Sequence, residues 1–575
     1  MNKFIVKKAS NTYADSLEAY GLCKILHLIL TQINANDVDI VIRDYYAYYE
    51  ITLTKEEQPY SLSEDSLSQL NYFPLFKFIK QNDDTDLTSI SEYYDYDRVK
   101  KEIDAIQKAE KKGIITEQDS KKKQKEKRLE IIGPEYNVIS LMARKNQYAN
   151  FHKLYFHFHS RQKKFVDCVK CILSNYSTEP LASDFEPVDV NKLQLYNPSC
   201  GKGANHQKAK LEDSNIKGEW ISSALYISGA QTDMICSFVK KGTNKSDVKI
   251  VVPVYSEIKY GAKEEVINEF RKKIRGSGSI QTDILNALYL TETLLQRNGL
   301  TLRRRKIRSV VSGLQIAYQM ASQNVTSVTN IGFIGLPGFV SISKREENNE
   351  WIKFIQEHII IISDMTEKEN SDGLSLYRDF ISDSNLDNFH AFTFWYASHV
   401  MAQLSKNKYI ESFSTTSLNQ LYLNMETNSL NLKEIVNNAG LQAIADAIRA
   451  STVSIQRTDK NARKYEVRYG LAHDLQIASN SKEDLATFIA DFAMTYNAET
   501  ARVDEKDKID VGNKEKKASW RRGLLTKEEL DSFYTILSNY SSTLIGGLLG
   551  AYGFSRKPSE DNQENKLSEG STNNE

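Results

Sequence analysis

The fourteen residues Asn197-Pro-Ser-Cys-Gly-Lys-Gly-Ala-Asn-His-Gln-Lys-Ala-Lys210 combine types that bind polyanions and lack types that repel them. Lys202, Lys208 and Lys210 are cations, and Asn205 and Gln207 carry amides suited to base edges. Asn197-Pro198 opens a turn, and Gly201 and Gly203 admit backbone angles that bring main-chain amides close to a phosphate. No aspartate or glutamate interrupts the stretch. A Gly-Lys-Gly turn is also found in plain surface loops, so its chemistry depends on what presents it. It is not a P-loop, because the glycine that should precede Gly201-Lys202 and the hydroxyl that should follow the lysine are both missing.

Three basic clusters extend the theme. Leu302-Arg-Arg-Arg-Lys-Ile-Arg308 places Arg303, Arg304 and Arg305 side by side before an apolar stretch expected to be helical. Arg457-Thr-Asp-Lys-Asn-Ala-Arg-Lys464 carries Arg463 and Lys464 and ends near Arg468. Lys514-Glu-Lys-Lys-Ala-Ser-Trp-Arg-Arg522 sets Trp520, able to stack on a base, beside Arg521 and Arg522. Each cluster alone is what a solvated face looks like.

Other constellations are weaker. His157 and His159 before Cys168-Val-Lys-Cys171 have zinc-like residue types but no second cysteine pair, and the cysteines sit in an apolar run. His473-Asp474 has the look of a metal-dependent nuclease or phosphohydrolase pair, without further ligands in series. No G-x-S-x-G elbow is present. The expectation is a protein with no catalytic residue, no metal site and no cofactor. A nuclease or phosphohydrolase built on His473-Asp474, or a protein-only scaffold, is the alternative.

The elements that must position these groups follow from periodicity. Helical spacing runs over 14–33, and alternation over 37–54 predicts a strand pair turning near Arg43-Asp44. The Lys/Glu-rich segment 97–130 cannot form a core and predicts a solvated helical hairpin or a mobile insertion. Strand-like composition covers 220–238, 248–255 and 329–342, with helices over 262–275 and 280–296. From 387 onward helical periodicity dominates.

The fold class is therefore α+β, with a mixed α/β N-terminal and middle region followed by a C-terminal helical bundle. Its parts are 1–96 (mixed α/β), 97–130 (charged insertion), 131–386 (mixed α/β carrying the Gly-Lys-Gly loop), 387–556 (bundle) and 557–575 (disordered tail).

Lysine plus arginine equals aspartate plus glutamate at 75 each, so any grip on nucleic acid must be local or shared with partners. Five scattered cysteines fit a reducing interior better than a disulfide framework. The N-terminal stretch lacks the apolar core of a secretory signal, and the apolar runs 351–362 and 543–552 are too short or interrupted to span a bilayer. A cytoplasmic protein with no membrane partner is expected.

The loop pattern Asn197-Pro-x-x-Gly-Lys-Gly-x-Asn-x-x-Lys208 followed by Trp220 resembles the large-subunit family of type I CRISPR effector (Cascade) complexes. Tyr465-Glu-Val-Arg-Tyr-Gly-Leu-Ala-His-Asp-Leu475, Tyr496-Asn-Ala-Glu-Thr-Ala-Arg502 and Leu548-Leu-Gly-Ala-Tyr-Gly-Phe-Ser-Arg556 add to the resemblance. It implies a non-catalytic subunit whose α/β region sits at the crRNA 5′ end, reads the protospacer-adjacent motif in target double-stranded DNA and helps open it. A bundle like the separate small subunit would hold displaced DNA. Other Cascade backbone subunits and a helicase-nuclease, or transposition factors in its place, are the implied protein partners.

Carried onto this sequence, Lys202, Lys208 and Lys210 would meet phosphates, and Asn205 and Gln207 base edges. Arg463, Lys464, Arg468, Arg521 and Arg522 would track the single strand. Some members of the family also yield a separate small subunit by internal initiation, which here would begin near Met401 or Met425.

Overall fold

The structure, a computed structural model of the chain, describes residues 1–79, 90–133, 138, 165–183, 190–191, 194–199, 217–218, 220–241, 245–274, 276–297, 305–322, 325–342, 345–425, 432–458, 463–510 and 522–557. The chain forms two compact units, one from residues 1–278 and 307–336, the other from 279–306 and 337–575.

The first unit is mixed α/β. Strands β1 (Lys3–Lys7), β2 (Asp39–Tyr45) and β3 (Tyr48–Lys55) join antiparallel, with β3 between the other two. Alternation turns Phe4 and Val6 of β1 into the core. The β2–β3 register runs to Tyr45↔Tyr48, so the turn lies at Tyr46-Ala47 and not at Arg43-Asp44 as the alternation suggested. Strands β4 (Phe73–Ile79) and β5 (Ile90–Asp95) pair parallel. Strands β6 (Ile235–Lys241), β7 (Lys245–Tyr255), β9 (Val311–Ser322) and β10 (Val325–Gly335) make a second antiparallel sheet in the order β10-β9-β7-β6, while β8 (Glu257–Lys259) pairs with β2.

Helix α1 (Tyr13–Gln32) is capped by the Thr12 hydroxyl and buried over most of its length. The Tyr20 hydroxyl donates to the Pro253 carbonyl (2.9 Å) and accepts from the Tyr255 amide (3.1 Å), tying α1 to the bulged end of β7. Helices α2 (Tyr96–Lys111) and α3 (Glu117–Ile132) are capped by Asp95 and Thr116 and pack on each other. The charged segment is thus a helical hairpin, its exposed faces laced by pairs such as Glu117–Lys121 (2.5 Å).

Helix α4 (Phe165–Tyr176) carries the two neighbouring cysteines. Helix α5 (Trp220–Asp233) replaces the expected strand over the first part of 220–238. Its Gly229 abuts the backbone of α1 at Leu17, and Gly21 of α1 abuts α5 at Leu225. This reciprocal approach packs two helices backbone to backbone and outweighs the strand propensity of Ile221, Tyr226 and Ile227. Helix α6 (Tyr260–Lys273) completes the unit. The stretch after Arg308 is strand β9, not a helix, because a strand buried on both faces has no alternation to betray it.

The second unit is helical and reaches beyond 387–556. It begins with α7 (Ser279–Gln296), which packs on α8 (Arg345–Ser363) and α9 (Glu367–Asp383), and includes the ribbon of Arg305–Lys306 with Ser341–Ile342. The Gln281 amide donates to the carbonyls of Ile362 (2.8 Å) and Met365 (2.7 Å), satisfying the end of α8. Such long-range partners assign α7 here despite its distance in sequence.

Helices α10 (Leu386–Ser405), α11 (Thr415–Asn424), α12 (Ala439–Ser451), α13 (Leu471–Ala478), α14 (Lys482–Asp510), α15 (Lys527–Asn539) and α16 (Ser542–Gly553) complete it. Tyr377, Phe380, Phe389, Phe392 and Phe413 form a connected aromatic core. Of the expected disordered tail 557–575, Lys557 is described and pairs with Asp446 (2.5 Å), and 558–575 lie outside the described residues.

Candidate nucleic-acid interface

The Gly-Lys-Gly loop is approached from stems that the first unit holds firmly. The buried Tyr13 of α1 donates its hydroxyl to the Leu195 carbonyl (2.7 Å), and Leu195 and Tyr196 are themselves buried. The Asn197 side-chain oxygen then accepts the Ser199 amide (3.1 Å) and hydroxyl (2.5 Å), an Asx turn that redirects the chain. Asn197 is therefore engaged in shaping the entry to the loop. On the far side Lys217–Gly218 pairs antiparallel with Val190–Asn191, and Trp220, 2% exposed, anchors the return into α5. Lys202, Gly203, Asn205, Gln207, Lys208 and Lys210 lie outside the described residues, as do Arg303, Arg304 and Arg521. Arg305 is half-buried, paired in register with Ile342.

In the second unit the expected strand-tracking cations do other work. Arg522 is 5% exposed; its guanidinium pairs with Glu499, donates to the Thr500 hydroxyl (3.1 Å), and lies 3.8 Å from the Tyr465 ring centre and 4.5 Å from that of Tyr496. Buried this way it has no surface to offer a strand, which corrects its expected role. Arg468 pairs with the same carboxylate at 3.7 Å and covers the Phe492 ring at 5.0 Å; burial lowers its guanidinium pKa. Arg463 donates to the Gln456 and Thr458 carbonyls (2.8 and 3.0 Å), closing the end of the short helix Val453–Arg457. Only Lys464 of this described group is exposed.

The three C-terminal signatures thus meet as scaffolding. Tyr465, Arg468, Tyr496, Glu499 and Thr500 surround Arg522, while Tyr552 and Ser555 offer their carbonyls to the buried Arg449 (2.9 Å from Ser555). Arg556 pairs with Glu357 (3.3 Å) and Glu411 (2.8 Å).

These clasps border a cleft of about 570 Å³ whose more accessible cations are Arg457, Arg556 and Lys557. Arg457 donates to the Ile410 carbonyl (3.3 Å) and the Ser412 hydroxyl (3.1 Å). In the sequence Arg457 stands out as part of a charge run, but Arg449 is a lone cation in α12 and Arg556 comes from a distant segment, so neither gives a local signal.

The metal readings gain no geometry. His473 and Asp474 are exposed on α13, and among the described residues no group of three or more His, Cys, Asp or Glu is placed to hold an ion. Cys168 is fully buried and burial pushes its thiol well above the ordinary range, opposing the thiolate that zinc needs; His157 and His159 lie outside the described residues. Among the described residues no helix is long and apolar enough to cross a membrane. Protein-family models and curated proteins, compared with the chain, give no match.

Proposed function

We propose that the chain is the non-catalytic large subunit of an RNA-guided type I CRISPR surveillance complex. It binds near the crRNA 5′ end, recognises the protospacer-adjacent motif in double-stranded DNA through the loop 197–210, and stabilises the opened strand. Backbone subunits and RNA supply the rest of the grip, and a helicase-nuclease or transposition factors act on the complex, in the cytoplasm.

One observation carries the reading: the acid-free stretch 197–210 begins beside Leu195, held by Tyr13, and the chain returns, beyond Glu212-Asp213, through the Lys217–Gly218 ribbon and Trp220. The described ends of the segment are anchored in the first unit, and the lysines and amides between them are of the types that meet phosphates and base edges. The even net charge fits a subunit whose contact is local.

The test is the double substitution Lys202→Ala, Lys208→Ala in the assembled complex. Duplex binding should weaken, and the slope of log affinity against log salt should fall by about 0.9 for each phosphate no longer neutralised. Affinity, salt slope and motif preference all unchanged would remove the assignment. Divalent-dependent strand scission by the chain alone, abolished by His473→Ala, would replace it with the nuclease reading.

A further inference from the structure

The tip of the β2–β3 hairpin carries three tyrosines, Tyr45, Tyr46 and Tyr48, none of them buried. Tyr46 is 97% exposed, Tyr45 47%, and the Tyr45 and Tyr48 rings stack with centres 5.4 Å apart and planes 24° from parallel. Tyr46 occupies the left-handed region at φ 46°. For a side-chain-bearing residue that conformation is unfavourable, and glycine or asparagine is the ordinary occupant of such a turn. A tyrosine there is strained and gains nothing from burial, so packing supplies no reason for it.

The tip is also stiffly backed. The Lys8 amide donates to the Ala47 carbonyl (3.0 Å), so the chain leaving β1 buttresses the turn. Lys8 pairs with Asp44 at 2.6 Å and lies 4.4 Å from the Tyr49 ring centre. The Asp44 amide donates to the Ser256 carbonyl (2.9 Å), and the Ser256 hydroxyl to the Arg308 carbonyl (2.7 Å), which brings the end of the Arg303–Arg308 cluster to the flank of the hairpin.

Charge decides the occupant. The carboxylates nearest the rings are each taken by a lysine, Asp44 by Lys8 and Glu50 by Lys3 (2.6 Å). Lys7, opposite Tyr48 in the β1–β3 register, is exposed and in excess. Flat rings held out on a stiff turn beside an excess cation match an unpaired base with its phosphate. We propose that Tyr46, flanked by the Tyr45–Tyr48 stack, is a stacking site for an unpaired base of single-stranded nucleic acid. The proposal rests on the nucleic-acid reading above but uses none of its loop residues.

The experiment takes the full-length chain and a single-stranded oligodeoxynucleotide carrying 2-aminopurine. The unaltered protein should quench the probe. Tyr46→Ala should weaken binding roughly ten-fold and remove the quench, while Tyr46→Trp keeps both. Tyr46→Gly should bind as poorly as Tyr46→Ala yet melt at the same or a higher temperature, because glycine relieves the left-handed turn. A lower melting temperature for Tyr46→Gly would make Tyr46 a structural residue and overturn the assignment. So would equal affinity and quenching by Tyr46→Ala, or loss of a protein partner with oligonucleotide binding intact. No quench by the unaltered chain, with duplex binding by the assembled complex preserved, overturns the tip alone. Absence of both kinds of binding overturns the tip and the proposed function together.

Discussion

The Arg522 guanidinium sits 3.8 Å from the centre of the Tyr465 ring and shares Glu499 with Arg468. Two arginines, one carboxylate and two tyrosines thus lock residues from three separate segments of the helical unit.

Removing that arginine is expected to damage the fold and to spare binding. Arg522→Ala removes a buried guanidinium from the Thr500 hydroxyl and the Tyr465 and Tyr496 rings, while Arg468 still pairs with Glu499, and should cost about 1–3 kcal/mol. Urea unfolding measures this directly. A loss below about 1 kcal/mol, together with weakened nucleic-acid affinity, would return Arg522 to a surface role on the strand.

At Gly21 a Cβ would run into the backbone of Leu225, which cannot retreat as a flexible side-chain tip could. Gly21→Ala should therefore destabilise the first unit by about 1–3 kcal/mol or more through overpacking. Gly261→Ala, where a Cβ meets nothing within 4 Å, is the control and should change stability little. Equal melting temperatures for the two variants would contradict the close α1–α5 crossing.

Lys263 and Asp233 form a fully buried ion pair at 2.6 Å, with the Thr232 hydroxyl on the same carboxylate oxygen. Lys263→Met leaves Asp233 without its cation and should cost about 3–5 kcal/mol, whereas the double change Lys263→Met, Asp233→Asn should recover much of it. Thermal melts of the two variants decide; a double variant less stable than the single one would show that the pair is not the source of the loss.

Burial lowers the imidazole pKa of His358 to about 3 and that of His390 to about 4, so both are neutral in the folded unit. Unfolded histidine titrates near 6.5, so below that pH the unfolded chain binds protons that the folded chain refuses. Their contribution is complete above about pH 7 and declines as pH falls. Removing the titration with His358→Gln should flatten the dependence between about pH 4 and 6.5, by as much as ~1.4 kcal/mol per pH unit. Parallel stability-versus-pH curves for variant and parent would refute this.

Met401 is buried within α10, and the residues before it set His390 and Phe394 against Gly547 and Gly550 of α16. A product starting at Met401 lacks that packing, and one starting at Met425 lacks all of α10 and α11. Chains 401–575 and 425–575 expressed alone should show no cooperative melt. A sharp transition in either would establish an independent small-subunit-like bundle.

Much of this architecture is legible in the chain because it is local. Helical spacing over 14–33, the charged hairpin with its caps at Asp95 and Thr116, and the helices after 387 each follow from residues a turn apart. The acid-free composition of 197–210 is equally a property of neighbours in sequence. Tertiary structure decided what depends on distant partners. Residues 220–233 became a helix because Gly229 meets Leu17, and α7 joined the helical unit through partners such as Gln281 with Ile362. Arg522 went inside because Glu499, Tyr465 and Tyr496 surround it, while Tyr46 came out because the strand register placed the turn beneath it. Charge and aromaticity are written in the residue type, but the solvent that a side chain meets is set by the packing of segments far apart in sequence.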